Sequence, residues 1–184
     1  ILCYHKVSAD PNEGRWLNIA PSRLASHVRF FLRRKHAFVT GGELAGDWPA
    51  KGVCMTFDDA YLTTMTEGLD VLNRAGVKAT FYAVSDKVGL SSDWDGDKAR
   101  PLASWDLLHA AAAQGHEIGN HTSGHASLTS VDQARRISEI ESCRERLASE
   151  GFSRGSFCYP YGHADESVAK LVSQAGYGVG MALG

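Results

Sequence analysis

Short apolar runs and amphipathic stretches alternate along the whole of this chain, and that alternation restricts the fold more than any other feature. Strand-like runs occupy about residues 1–5, 37–40, 52–57, 79–84, 116–119, 156–160 and 178–182. Between them, helix-like stretches cover about 21–35, 61–75, 103–114, 130–149 and 164–175. Pro21-Ser22-Arg23-Leu24 and Thr129-Ser130-Val131-Asp132 look like helix starts, while Gly76, Gly115, Gly151 and Gly176 follow helix ends. A strand–helix–strand rhythm implies a parallel sheet, because parallel neighbours need a crossover that a helix supplies. Seven candidate strands fit a single α/β domain built as a distorted (β/α)7-type barrel better than an open sheet. The 184 residues are compact against the roughly 250 of a full eightfold barrel. They suffice for one sizeable core and not clearly for two.

Chemistry-bearing residues gather where these strands end. The segment Gly52-Val53-Cys54-Met55-Thr56-Phe57-Asp58-Asp59 is apolar until it stops at two carboxylates, as a strand covered on both faces would. At a strand end both side chains can reach the rim, one to bind a metal and the other to act as a base. Taken alone, the pair fits a blander reading better: Asp59 caps a helix starting near Ala60, and Asp58 is an ordinary turn residue. His121 and His125 follow another short strand and change that balance. Spaced by four, they share one face if the residues between them make a helical turn. Two imidazoles, one carboxylate and an open position for water make up the donor set of a catalytic zinc site. His5, Asp58, Asp59, His121 and Tyr161 all fall at or just past the C-terminal ends of strands, the rim that carries the chemistry of such barrels.

At these residues the chain resembles the polysaccharide deacetylase family, metal-dependent carbohydrate esterases that remove N- and O-acetyl groups from glycans. The resemblance lies in Thr56-Phe57-Asp58-Asp59-Ala60, His121-Thr122-Ser123-Gly124-His125 and Cys158-Tyr159-Pro160-Tyr161-Gly162, in that order. It continues through Lys78-Ala79-Thr80-Phe81-Tyr82 and Gly115-His116-Glu117-Ile118-Gly119 and covers nearly the whole chain. It implies that Asp59, His121 and His125 bind the metal, most fittingly zinc, and that Asp58 is the general base for the attacking water. The backbone amide of Tyr161 would then help hold the oxyanion of the tetrahedral intermediate, a contribution of roughly 2.7–4 kcal/mol for a preorganised donor.

Three positions depart from the family pattern. Ala60 replaces the usual glycine, from which no special backbone angle is expected there. Cys158 stands where the family often has an arginine that pairs with the base, so another donor must orient Asp58. The family's catalytic histidine usually lies in a Leu-x-His stretch near the C-terminus, and none follows Gly176-Tyr177-Gly178. Ile1-Leu2-Cys3-Tyr4-His5 reads as a strand ending in histidine and resembles the opening of a circularly permuted branch of the family. By that resemblance His5 protonates the leaving amine, a role suited to a group that titrates near neutrality; as a bare residue it could equally hydrogen-bond within a loop.

Composition narrows the partners. The chain is 43% hydrophobic with a net charge of −2, and no basic stripe argues for nucleic acid. No run approaches a transmembrane length, and no charged-then-apolar leader precedes Ile1. A start within a strand and an end just after one suggest that residues 1–184, one catalytic domain, are truncated at both ends. The longest polar loop, Asp86 to Pro101, reads as a lid beside the cleft, with Trp94 available to stack on a sugar ring; Trp16 is a second candidate, and both rings could instead cover core. Asp93, Asp95 and Asp97 resemble the start of a calcium loop, but Gly96 precedes the third and position 104 is serine rather than glutamate. Cys3, Cys54, Cys143 and Cys158 form no Cys-x-x-Cys pair and read as buried thiols. The resemblance points to the cell envelope or an exported location; the cysteines point weakly to a reducing one. His27, His36, His109 and His116 read as structural, whereas His163 lies at the rim and is a candidate to replace the absent arginine.

The reading is therefore a metal-dependent deacetylase acting on an N-acetylated sugar, with an acetylated glycan containing N-acetylglucosamine as substrate. An O-acetyl esterase or small-amide hydrolase uses the same parts, and a glycan-binding module that has lost catalysis is the non-enzymatic alternative. The same ligands also suit iron, cobalt or nickel.

Overall fold

The computed structural model describes residues 1–183. The chain enters through β1 (Leu2–Tyr4) and a short parallel pair, β2 (Lys6–Val7) and β3 (Asn18–Ile19), ahead of helix α1 (Pro21–Arg33). Strands β4 (Ala37–Val39) and β5 (Gly52–Phe57) precede helix α2 (Leu69–Ala75) and strand β6 (Thr80–Ala83). Helix α3 (Trp105–Ala113), strand β7 (Glu117–Asn120), helix α4 (Gln133–Ser149), strand β8 (Phe157–Cys158), helix α5 (Glu166–Gln174) and strand β9 (Gly180–Met181) complete the order.

Every strand and helix expected from the sequence is present, mostly shortened by a few residues. The β2–β3 pair was not expected, because two-residue strands carry no periodicity to read. Helix α2 also begins later than residue 61, behind a wider π-type turn at Thr64–Gly68. Side chains close the helix starts: Ser104 accepts from Leu107 N, Asp132 from Arg135 N and Asp165 from Val168 N. Gly76 and Gly115 take positive φ (65° and 89°) beyond the ends of α2 and α3, where a side chain would be strained.

The sheet is wholly parallel, ordered β1-β5-β6-β7-β8-β9, with β4 paired to the first half of β5 and β1 to the second half. Among the described residues no ladder joins β1 to β9, so the sheet curls into a half-barrel, the distorted barrel expected. A cavity of about 260 Å³ lies between these two edges, lined in part by Cys3, Asp58, Cys158 and Leu183.

Strand alternation sorts the core. Val53, Met55 and Phe57 of β5 face outward and join Phe81, Ile118, Leu24, Leu72 and Leu108 under the helices. Cys54, between them, points inward with Tyr82, Cys158 and Met181. Phe57 and Phe81 are fully buried and stack at 5.1 Å, each a side chain whose truncation to alanine costs about 3–5 kcal/mol. At the floor the Glu117 carboxylate, at the start of β7, accepts from Ser156 N (2.6 Å) and Ser156 Oγ (2.7 Å), just before β8, and from Gly42 N (2.6 Å), in the turn after β4. Among the described residues no helix is long and apolar enough to cross a membrane. The opposite rim, at the C-terminal strand ends, is left to the polar side chains.

Candidate active site

β5 delivers its two carboxylates by a backbone device. Asp58 N donates to Tyr4 O (2.9 Å), extending the ladder with β1 by one step. Asp59 and Ala60 then both take left-handed conformations, with φ of 68° and 51°. The expectation of an unremarkable angle at Ala60 is therefore wrong: the position does need a left-handed residue, and alanine occupies it at a cost of about 1–2 kcal/mol. This turn swings Asp59 into the rim, well before the helical segment opens at Thr64, so Asp59 is not a helix cap.

The two histidines arrive from β7. His121 N donates to Ala83 O (3.1 Å), and His121 Nδ1 lies 2.8 Å from Cys158 O. A carbonyl only accepts, so Nδ1 carries the proton and Nε2 is left as a free lone pair facing the rim. His121 Nε2 lies 3.4 Å and His125 Nε2 3.2 Å from Asp59 Oδ1. Asp59 Oδ1, although buried, has no hydrogen-bond donor, and neither does His125 Nδ1 have a partner. Ligand atoms around a tetrahedral ion with metal–nitrogen bonds near 2.0–2.1 Å stand roughly 3.3 Å apart. The trio thus has both the spacing and the unsatisfied atoms of a metal-binding group, and all three residues are buried. Burial opposes ionisation of Asp59, but the two imidazoles set against it outweigh that and hold its carboxyl well below the ordinary range. Burial likewise opposes a charge on both imidazoles. In His121 the neighbouring carboxylates overcome it and raise the pKa, whereas in His125 burial prevails and lowers it.

The segment between the histidines is not the helical turn expected from their spacing. Thr122 and His125 have φ of 67° and 61°, so the loop folds back on itself. Thr122 N donates to Asn120 Oδ1 (2.8 Å) and His125 N to Thr122 Oγ1 (3.0 Å). The loop is then fastened to α4 by Glu139. Its fully buried carboxylate accepts from Gly124 N (2.7 Å) and Ser123 Oγ (3.1 Å), while Ser123 N donates to Glu139 O (3.0 Å). Arg135, one turn earlier, pairs with the other carboxylate oxygen at 2.5 Å. The sequence reading passed over Glu139; its signal is a charge set into the buried stripe of α4 beside Ile140, Cys143 and Leu147.

Asp58 has different company. Its Oδ2 lies 3.4 Å from Cys3 Sγ, 3.5 Å from Cys158 Sγ and 3.9 Å from His5 Nε2, while its Oδ1 is buried without a partner. Burial and the Asp58 charge push the Cys3 thiol up to about 12 and the Cys158 thiol well above its ordinary value. Both therefore stay protonated near neutrality and donate S–H to the carboxylate. The donors beside Asp58 are thus two thiols in place of the arginine that the family pattern leads one to expect. His163 does not replace it, since its ring pairs with Ser127 Oγ (3.2 Å). Cys54, Cys143 and Cys158 are buried as expected; Cys3, on the outermost strand, is exposed as a residue although its sulfur turns in against the Asp58 carboxylate, and all four are free thiols.

Aromatic rings enclose His125. Trp94, from the long polar loop, stacks on it with centroids 4.1 Å apart at 23°, and Tyr161 meets it edge-on at 4.7 Å and 63°. Tyr161 itself is half exposed with φ of 60°, in the tight turn that follows β8. Trp16 lies elsewhere, exposed, beneath the Lys98 ammonium. The structure thus brings His5, Asp58, Asp59, His121, His125 and Tyr161 to a single rim.

A family model described as polysaccharide deacetylase matches residues 45–180. The chain belongs to the polysaccharide deacetylase family. It is 23% identical to YxkH of Bacillus subtilis (strain 168) over 189 residues, covering 98% of this chain and 63% of that protein. It is 28% identical to a chitin deacetylase of Colletotrichum lindemuthianum over 126 residues, covering 68% of this chain and 48% of that enzyme. The chain thus spans less than two thirds of the length of either relative. In three dimensions it resembles the Streptococcus pyogenes deacetylase PplD, with a TM-score of 0.84 at 18% identity over 99% of this chain and 82% of the other. That likeness establishes the shared fold. The family's metal requirement is consistent with the buried Asp59, His121 and His125 group.

Proposed function

We propose that this chain hydrolyses acetyl groups from N-acetylated sugars, with N-acetylglucosamine-containing polysaccharide as the substrate class. The observation that carries the reading is the meeting of a buried Asp59, His121 and His125 trio with a separate carboxylate, Asp58, that has no part in it. A divalent ion held by the trio, zinc in the first instance, would activate water and polarise the acetyl carbonyl. The chain's own groups do the rest. Asp58, oriented by the Cys3 and Cys158 thiols, accepts a proton as water adds to the carbonyl carbon. The Tyr161 amide donates to the developing oxyanion. His5, 3.9 Å from Asp58, gives a proton to the departing amine as the carbon–nitrogen bond breaks. We assign His5 this role from its position beside Asp58 and not from a permuted strand order. Trp94 and Tyr161 give the sugar two aromatic surfaces at the mouth.

Support comes from family membership, from relatives that include chitin and peptidoglycan N-acetylglucosamine deacetylases, and from the PplD structure, which holds acetate. The test is acetate release from acetylated chito-oligosaccharides by the metal-loaded protein. Asp58→Asn is expected to lose about 10²–10⁴-fold in rate while still binding metal, the range of a lost general base. Full activity in that variant removes Asp58 from the mechanism. Release from O-acetylated sugars alone reassigns the chain as an esterase, and tight glycan binding with no release in any case marks it as a binding module.

A further inference from the structure

Asp58 is the point on which a second set of ligand atoms converges. Cys3 and His5 lie two residues apart on the extended segment that begins with β1, so strand alternation turns both toward the same side. Asp58 follows β5, and Cys158 closes β8. The Cys3 sulfur, a His5 ring nitrogen and an Asp58 carboxylate oxygen all lie within 4.8 Å of one another, and the Cys158 sulfur lies 3.5 Å from the same carboxylate oxygen. None of these residues belongs to the Asp59, His121 and His125 trio.

The sulfur-to-oxygen spacing is that of a coordination shell, and the imidazole stands somewhat farther out. With metal–sulfur bonds near 2.3 Å and metal–nitrogen or metal–oxygen bonds near 2.0–2.1 Å, tetrahedral ligands stand about 3.6 Å (sulfur to oxygen) and about 3.3 Å (nitrogen to oxygen) apart. Cys3 Sγ is 3.4 Å and His5 Nε2 3.9 Å from Asp58 Oδ2. The Asp58 carboxylate is nine-tenths buried, and its second oxygen has no partner at all. Thiol, imidazole and carboxylate together suit a thiophilic ion better than magnesium or calcium, which take oxygen ligands.

We propose that Cys3, His5 and Asp58, with Cys158 at hand, form a second metal site for a thiophilic divalent ion such as zinc, beside the site of Asp59, His121 and His125. On binding, the Cys3 S–H bond breaks, its proton leaves to solvent and a sulfur–metal bond forms; no oxidation or reduction occurs. The consequence for activity rests on the deacetylase reading. An ion here engages the base and the acid together, so zinc in excess of one equivalent inhibits.

Cadmium is the probe, added to protein that already carries one equivalent of zinc. Wild type is expected to take up one further equivalent, with a thiolate-to-cadmium charge-transfer band in the ultraviolet and release of a proton. Cys3→Ser should keep the first zinc but lose the band. His5→Ala should weaken cadmium binding by more than the roughly 10–100-fold typical of a lost supporting contact. Circular dichroism of each variant separates loss of a ligand from loss of fold. Absence of the band in wild type, or its survival unchanged in folded Cys3→Ser, overturns the site. Acetate release is read separately: if cadmium binds as described yet no acetylated sugar is hydrolysed, the second site stands and the deacetylase reading falls.

Discussion

Replacing Glu139 tests whether the metal-site loop is built by a helix rather than by its own sequence. The carboxylate is fully buried and accepts from Gly124 N and Ser123 Oγ. Hydrogen bonds to a charged group contribute about 1.5–3 kcal/mol each, so the two together represent about 3–6 kcal/mol. Its pairing with Arg135 adds little, because that arginine is more than half exposed. Alanine at 139 thus removes a large part of the 5–15 kcal/mol that keeps a typical domain folded. Glu139→Gln is the more informative variant, since it preserves the shape and one acceptor oxygen and loses only the charge. It should cost about 1–3 kcal/mol in stability, measured by chemical denaturation of the metal-free protein. Because Ser123 and Gly124 lie between the two histidines, its metal affinity should fall about 10–100-fold, measured by competition with a chelator. A Glu139→Gln protein that binds metal as tightly as wild type would refute the reasoning, whatever its stability.

Two further outcomes follow from the backbone and from a buried histidine. Ala60→Gly should stabilise the protein by about 0.5–1 kcal/mol, because glycine relieves the left-handed strain at φ 51° and loses only a methyl contact; a lower midpoint in denaturant would contradict this. His116 is buried and neutral, its Nδ1 accepting from Ala79 N (3.1 Å) and its Nε2 donating to Asn73 Oδ1 (2.9 Å). Burial pulls its pKa down to about 4 from an ordinary 6.5. Between those values the unfolded chain binds the extra proton. Stability is therefore full above about pH 6.5 and falls as pH drops toward 4, by up to about 3 kcal/mol. His116→Gln should flatten that decline in denaturation curves recorded across the window, and an unchanged slope would assign it to other groups.

Much of this site was readable because its chemistry is carried by residue types that are costly to bury without purpose. Asp58, Asp59, His121 and His125 sit where apolar strands stop, and parallel topology sends all such ends to one rim. What the sequence hid was backbone conformation and distant support. The four-residue spacing of the histidines suggested a helical turn, but a loop with two left-handed residues was held in place by Glu139, far along the chain. Ala60 misled for a related reason: an alanine gives no sign in the sequence of the positive φ that it adopts here under strain. The role of Cys3 depended on pairing between β1 and β5, which brings its sulfur to the Asp58 carboxylate. The β2–β3 pair was invisible because its hydrogen bonds depend on register between two dipeptides and not on any local pattern.

The most direct test of the account is the metal content of the purified protein beside His121→Ala, each also carrying Cys3→Ser so that the neighbouring thiol site takes no zinc, determined by elemental analysis after equilibration with one equivalent of zinc. The trio predicts stoichiometric zinc in the protein with His121 in place, lost from the folded protein with His121→Ala, with acetate release lost in parallel. Zinc retained in full by His121→Ala, or no zinc held with His121 in place, would contradict the claim that Asp59, His121 and His125 form the centre of this site.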